Sequence, residues 1–450
     1  MYSASVLLLG SLLASCSTPP TGGPPDYGDE TDTGSETGTD TGTDTGSDTG
    51  GETAETGNDS GGGAKTIVVV VLDTGRYQLF EQGTMPLLYG RRAEGLYVDT
   101  FAGVEAWTLP TTASLMSGVR LEERGVDPDD KFLPPGAIKL VSEAFQKDGW
   151  ATLLASANEV MSANLFAGFD EKLKHSYDWS LADQTAEVIS WLEGVPEEQP
   201  RFVWIQAMNL HVPYDKLHAS CEAPAVAADA ECPENVIYTT GDGGFVPGEF
   251  RNLSEAETAA CSAAIEVAHR CVATQVDLEL DALIQALPSD ALIVVVTDHG
   301  EGWLDPSVEH NWGATVKLTR SFALLLHPGL AGQTVPLASQ VDLAPTLLKW
   351  AGLDYASADI EGVPIGEPLL EPPTTWHCDG HGHLAIAAWD ETYQLVYNDH
   401  LNNQYYELFA LQDDPGGDVD LAFTTELPEA LLAALDAKYS RTASLCPADG

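Results

Sequence analysis

Residues 291–297, Ala-Leu-Ile-Val-Val-Val-Thr, form an unbroken apolar run rich in β-branched side chains. A run of that length without polar alternation marks a strand buried on both faces, the situation of a parallel sheet covered by helices on either side. It stops abruptly at Asp298-His299-Gly300. A second run, Thr66 to Leu72, stops in the same way at Asp73. In open α/β sheets ligands gather beyond the carboxyl ends of the strands, so two neighbouring strands of this kind would aim Asp73, Asp298 and His299 at one point. Two carboxylates and an imidazole suit one divalent metal ion: calcium, manganese or zinc.

Trp107 to Gly118 reads as a short helix. Pro110 is placed in its first turn, Thr108 reads as its cap, and Gly118 is positioned to end it. A hydroxyl at the positive end of a helix, beside a cation, is where an alkoxide can be stabilised. By its position alone Thr108 reads as a helix cap; beside a cation its hydroxyl could also serve as a nucleophile. Arg76, three residues beyond Asp73, is a candidate for holding an anion, and Lys317 and Arg320 are further sources of positive charge for a substrate. His211 and His310 are the candidates for delivering a proton to a leaving oxygen.

Five ordered stretches resemble the sulfatase family of the alkaline phosphatase superfamily. They are the strand ending in Asp73; Thr108 to Gly118; His211-Val212-Pro213-Tyr214; Asp298-His299-Gly300-Glu301; and Val341 to Gly352, reading VDLAPTLLKWAG. The resemblance implies an alkaline-phosphatase-like α/β/α sandwich with a mainly parallel sheet, spanning residues 65–374, and a small C-terminal antiparallel subdomain over residues 375–450. It also implies metal ligation by Asp73, Asp298 and His299, attack by Thr108, and a small-molecule, glycan or lipid ester as substrate. Two positions depart from the family pattern. Thr108 stands where sulfatases carry a Cys or Ser that becomes formylglycine, and Thr112 stands where they carry an Arg. A threonine nucleophile is similar to the phosphodiesterase and phosphoglycerol or phosphoethanolamine transferase branches, so a transferase is the alternative activity and an inactive surface binding domain the alternative outside enzymology.

Residues 1–16 read as an export signal. The apolar run Val6 to Leu13 is too short to span a bilayer. Leu13-Ala14-Ser15-Cys16 resembles a bacterial lipobox, which would make Cys16 a lipidated N-terminus and the membrane a partner only through that anchor. Residues 17–64 are a Thr/Gly/Asp-rich tether with no large aliphatic residue to bury, expected to be disordered and to reach roughly 40 Å. The expected location is the bacterial cell envelope. The formal net charge is −49, and most of that excess lies beyond the tether. A field of that sign repels polyphosphates, which argues against nucleic acid as a partner.

Beyond Cys16 there are six cysteines, an even number that fits an oxidising compartment. Cys221 with Cys232 is the easiest local pair, and Cys378 with Cys446 would tie down the C-terminus. Cys378-Asp379-Gly380-His381-Gly382-His383 could ligate a metal by composition. Residues 137–146 and 255–287 have helical periodicity, the latter with Val272, Val276, Leu280, Leu283 and Leu287 on its inner face.

Overall fold

The computed structural model describes residues 64–124, 133–134, 136–158, 163–212, 214, 237–239, 245–247, 254–303, 313–355, 359–378, 383–400 and 403–446. The signal, Cys16 and all but the last residue of the tether lie outside them. So do His310, Pro213 and the two cysteines of the expected Cys221–Cys232 pairing. Among the described residues no helix is long and apolar enough to cross a membrane.

The strands in chain order are β1 (Thr66–Leu72), β2 (Gly95–Ala102), β3 (Ala151–Ser156), β4 (Glu171–Lys174), β5 (Arg201–Ala207), β6 (Ile237–Thr239), β7 (Phe245–Pro247), β8 (Leu292–Thr297), β9 (Arg320–Leu326), β10 (Gln333–Ser339), β11 (Thr374–Cys378), β12 (Leu384–Trp389), β13 (Tyr393–His400) and β14 (Asn403–Ala410). The helices are α1 (Pro86–Gly90), α2 (Thr108–Ser117), α3 (Val141–Lys147), α4 (Leu181–Gly194), α5 (Glu255–Ala286), α6 (Val316–Thr319), α7 (Leu343–Trp350) and α8 (Glu429–Thr442). Eight strands form one sheet in the order β10-β2-β9-β8-β1-β5-β3-β4. All its neighbours pair in parallel except β9, which runs antiparallel to both β2 and β8.

The central strands are apolar throughout because both faces are covered. Val68, Val70 and Leu72 of β1 pack in one core with α4 and with Ile265, Val272, Val276 and Leu280 of α5. Ile67, Val69 and Val71 pack in the other with Leu109 and Met116 of α2, Phe145 of α3 and Leu347 of α7. The result is the expected α/β/α sandwich. α5 starts at a capping box, in which Glu257 N–H donates to Ser254 Oγ at 3.3 Å and Ser254 N–H donates to the Glu257 carboxylate at 2.7 Å. All five residues expected on its inner face are buried. α3 begins four residues later than its periodicity predicts, because the Glu143 carboxylate takes the Leu140 N–H at 2.9 Å and fixes the first turn there.

β11 to β14 form a separate antiparallel sheet. One face packs under α8 through Leu431 and Leu435, and the other meets Ala102, Ala314 and Val316 of the main body. Cys378 and Cys446 are disulfide-bonded, which closes the C-terminus onto this sheet. The same bond removes the Cys378 thiolate as a metal ligand. Cys261 and Cys271 are also disulfide-bonded; ten positions apart on one helix, about 15 Å, they are not bonded to each other.

Candidate metal centre and nucleophile

Strand register brings the two acidic strand ends together. Leu72 is the partner of Thr297 on one side and of Ala207 on the other. Asp73 and Asp298 are the next residues of adjacent parallel strands, so their side chains start from neighbouring positions at one edge. Asp73, Asp298 and His299 are fully buried, and one ligand atom from each lies within 4.8 Å of the others. His299 Nε2 is 3.8 Å from Asp73 Oδ1 and 3.6 Å from Asp298 Oδ2.

The three groups are oriented. Asp298 Oδ1 accepts the N–H groups of His299 at 2.8 Å and Thr74 at 3.1 Å. Thr74 adopts a left-handed backbone, φ 58°, an uncommon conformation for a β-branched residue, and its hydroxyl donates to the Asp73 carbonyl at 2.8 Å. Asp73 Oδ2 accepts from Thr108 Oγ1 at 3.3 Å, Asn158 Nδ2 at 3.3 Å and Gln206 Nε2 at 3.2 Å. The other oxygens, Asp73 Oδ1 and Asp298 Oδ2, are buried and have no hydrogen-bond partner among the described residues. His299 Nδ1 lies 2.9 Å from the Gly300 carbonyl, so it carries the proton and leaves the Nε2 lone pair facing the carboxylates. Two bare carboxylate oxygens and a directed imidazole lone pair fit a divalent cation. Burial, and then the charge of Asp73, push the Asp298 carboxyl well above the usual carboxylate range. A bound cation would relieve that strain.

Thr108 is the first residue of α2 rather than its cap. The cap position belongs to Trp107, which has extended backbone and makes no side-chain capping bond. The Thr108 hydroxyl is thereby released from the helix and stands 3.2 Å from His299 Nε2. Gly118 ends α2 in the left-handed conformation as expected, φ 74°. Gly300 is required by close approach: a Cβ there would lie 2.0 Å from the Lys317 carbonyl oxygen. Its N–H donates to Leu318 O at 2.7 Å, which docks α6 against the loop that carries His299.

Lys317 Nζ pairs with Asp418 Oδ1 at 3.0 Å. Arg76 is buried, with its guanidinium 3.7 Å over the ring of Trp303, and burial lowers its pKa to about 10. Trp303 Nε1 donates to His269 Nδ1 at 2.9 Å, and Tyr214 stacks on His269 at 4.7 Å. Arg76 thus sits in an aromatic cluster behind the DHGE loop. Arg320 is committed to structure: it donates to the carbonyls of Leu411 and Asp99 and stacks on Tyr77. His211 follows β5 at the same end of the sheet; its Nδ1 lies 2.6 Å from Val212 O and its ring stacks 5.9 Å from Tyr177. Thr112 is fully buried one turn beyond Thr108. Asn158 and Gln206 were not legible as site residues. The one available signal is the lone amide of Gln206 in a strand that is otherwise apolar after Arg201.

The sulfatase family profile matches residues 65–353. Among solved structures, the chain is similar to a protein in complex with its substrate D-glucosamine-2-N,6-O-disulfate, at 14% identity and a TM-score of 0.62, over 84% of this chain and 98% of that one. It is similar to a sulfatase-type protein from Bacteroides thetaiotaomicron at 16% identity and a TM-score of 0.61, over 84% and 92%. It is also similar to the phosphonate monoester hydrolase of Agrobacterium radiobacter at 16% and 0.61, over 84% and 96%. No curated protein matches the chain significantly.

Proposed function

The chain belongs to the sulfatase family of ester hydrolases, and from that premise we propose that it cleaves phosphate or sulfate esters with Thr108 as nucleophile and one divalent cation held by Asp73, Asp298 and His299. The observation that carries this reading is the Thr108 hydroxyl, 3.3 Å from one carboxylate of the cluster and 3.2 Å from its imidazole. A cation held there would lower the hydroxyl pKa and offset charge on the ester's non-bridging oxygens.

Asp73 Oδ2 receives the Thr108 hydroxyl hydrogen and orients the oxygen for attack. Oγ1 forms a bond to phosphorus or sulfur, the bond to the alcohol oxygen breaks with its electron pair, and that oxygen takes a proton from His211 or His310. Water then cleaves the threonyl ester and restores the hydroxyl. Lys317, paired with an exposed carboxylate that an anionic ester can displace, supplies positive charge to the substrate. Threonine lacks the chemistry that yields formylglycine, which favours phosphorus esters. The neighbour named as a phosphonate monoester hydrolase supports that direction, and the one solved with a disulfated glucosamine supports a glycan ester.

The export signal, lipidated Cys16 and tether extend the proposal to an enzyme of the cell envelope. Mass spectrometry of the mature N-terminus tests that part, and an unprocessed or unacylated chain would refute it. The activity is tested by turnover of 4-nitrophenyl phosphate, its bis-ester and 4-nitrophenyl sulfate after chelation and readdition of calcium, manganese or zinc. Metal-dependent hydrolysis is expected, fastest on a phosphorus ester. No turnover of any ester would favour a selective transferase or a binding domain.

A further inference from the structure

Asp73 is held asymmetrically, and by side chains that the family resemblance does not assign. Its Oδ2 accepts from Asn158 Nδ2 at 3.3 Å and from Gln206 Nε2 at 3.2 Å, while Oδ1 is left bare. The two amides arrive from different places. Asn158 lies just beyond the end of β3, and Gln206 lies within β5, opposite Val71 of β1. Both are buried, at 1% and 0% exposure. Gln206 lies on the apolar α2-facing side of β5, next but one to Trp204, and its Oε1 is buried without a hydrogen-bond partner among the described residues. An unpartnered buried carbonyl costs stability, so the amide is retained at a cost for what its N–H group does. Asp298 shows the same asymmetry, but there two backbone N–H groups provide it.

We propose that Asn158 and Gln206 are positioning residues that clamp Oδ2 of Asp73 so that Oδ1 faces the cation. This rests on the metal reading above. Neither amide touches substrate. They fix the rotation of the carboxylate, and without them Asp73 could turn either oxygen, or both, toward Thr108 and the amide positions. Partners of this kind set metal affinity by about tenfold to a hundredfold.

The test uses the whole protein with Gln206→Met and Asn158→Leu, singly and together. These remove the donors, with near-constant volume in the first case. Chelator-stripped protein is titrated calorimetrically with calcium, manganese and zinc chloride, and the melting temperature is read with and without metal. The expected result is metal affinity at least about tenfold weaker in each variant, with the metal-free melting temperature close to wild type and a smaller metal-induced rise. Affinity within twofold of wild type in both variants would overturn the proposal. A lower metal-free melting temperature with an undiminished metal-induced rise would also overturn it, by reducing the amides to structural roles. The variants sit on different segments of the chain, one in β5 and one beyond the end of β3, so one remains informative if the other does not fold. Failure of the wild-type protein to take up any metal would sink the metal reading itself, a distinct outcome.

Discussion

The hydroxyl of Thr108 lies 3.3 Å from the carboxylate of Asp73, turned away from the helix it begins. A threonine at a helix start ordinarily spends its oxygen on a backbone N–H. Here Trp107 takes the cap position and Thr111 makes the local backbone bonds, its hydroxyl donating to Trp107 O at 2.8 Å and Thr108 O at 3.1 Å. Thr108 is left to the acidic cluster. Thr108→Ala is expected to reduce kcat by about a thousandfold or more while metal affinity stays within a few fold. Thr108→Ser, which keeps the oxygen, should retain a measurable rate. Steady-state kinetics beside calorimetric metal titration checks both.

Variants of Lys317 and Asp418 test whether the lysine reads the substrate or serves the scaffold. Lys317→Ala should raise KM for an anionic ester about tenfold with a smaller change in kcat. Asp418→Asn should change KM much less, because Asp418 is 71% exposed at its side chain and such pairs contribute little. Equal effects from the two variants would mean that the pair, not the lysine, is what the substrate reads.

Glu105, three residues before Thr108, is buried and lies 2.6 Å from His377 Nδ1. Burial raises its pKa to about 7, partly offset by His377, and Glu122 adds repulsion. A carboxyl with a raised folded-state pKa binds more protons folded than unfolded between pH 4.5 and about 7. Its contribution is fully present below pH 4.5 and is lost as pH rises through about 7. Glu105→Gln should flatten that slope. It keeps the acceptor for His377, and the new amide group replaces Oε2, which has no hydrogen-bond partner among the described residues. Denaturant midpoints across this pH range measure it.

The legible part of the fold was the part written in hydrophobic runs. β1 and β8 read as doubly buried strands, and their acidic ends read as a site because register carries Asp73 and Asp298 to adjacent positions. Strand direction was not legible. Phe322–Leu326 of β9 is as apolar as β8, and nothing in its composition shows that it runs antiparallel to both of its neighbours. The amides of Asn158 and Gln206 were illegible for another reason: their meaning depends on which strand lies beside β1, a fact of topology. Arg76, a candidate for holding an anion, lies with its guanidinium over Trp303, and composition does not distinguish the two uses, because a long aliphatic stem and planar head suit an aromatic face as well as a ligand.

The C-terminal sheet is fastened by a bond and a buried ion cluster. Lys438, fully buried, contacts Glu122 at 2.6 Å and Glu123 at 2.7 Å. Lys438→Met would strand the buried Glu122 carboxylate and should destabilise the protein by about 3–5 kcal/mol. Cleaving Cys378–Cys446, which closes a segment of sequence separation 68, should cost about 4 kcal/mol by loss of the constraint on the unfolded chain. Chemical denaturation of Lys438→Met, and of Cys378→Ser with Cys446→Ser, measures the two contributions.

The most direct measurement is of the covalent intermediate. Metal-loaded protein is mixed with 4-nitrophenyl phosphate, quenched in acid during turnover, digested and analysed by tandem mass spectrometry. The account predicts a phosphoryl group on Thr108, absent from Thr108→Ala and from chelator-treated protein. Turnover with an unmodified Thr108 peptide, or an adduct on any other residue, would contradict it.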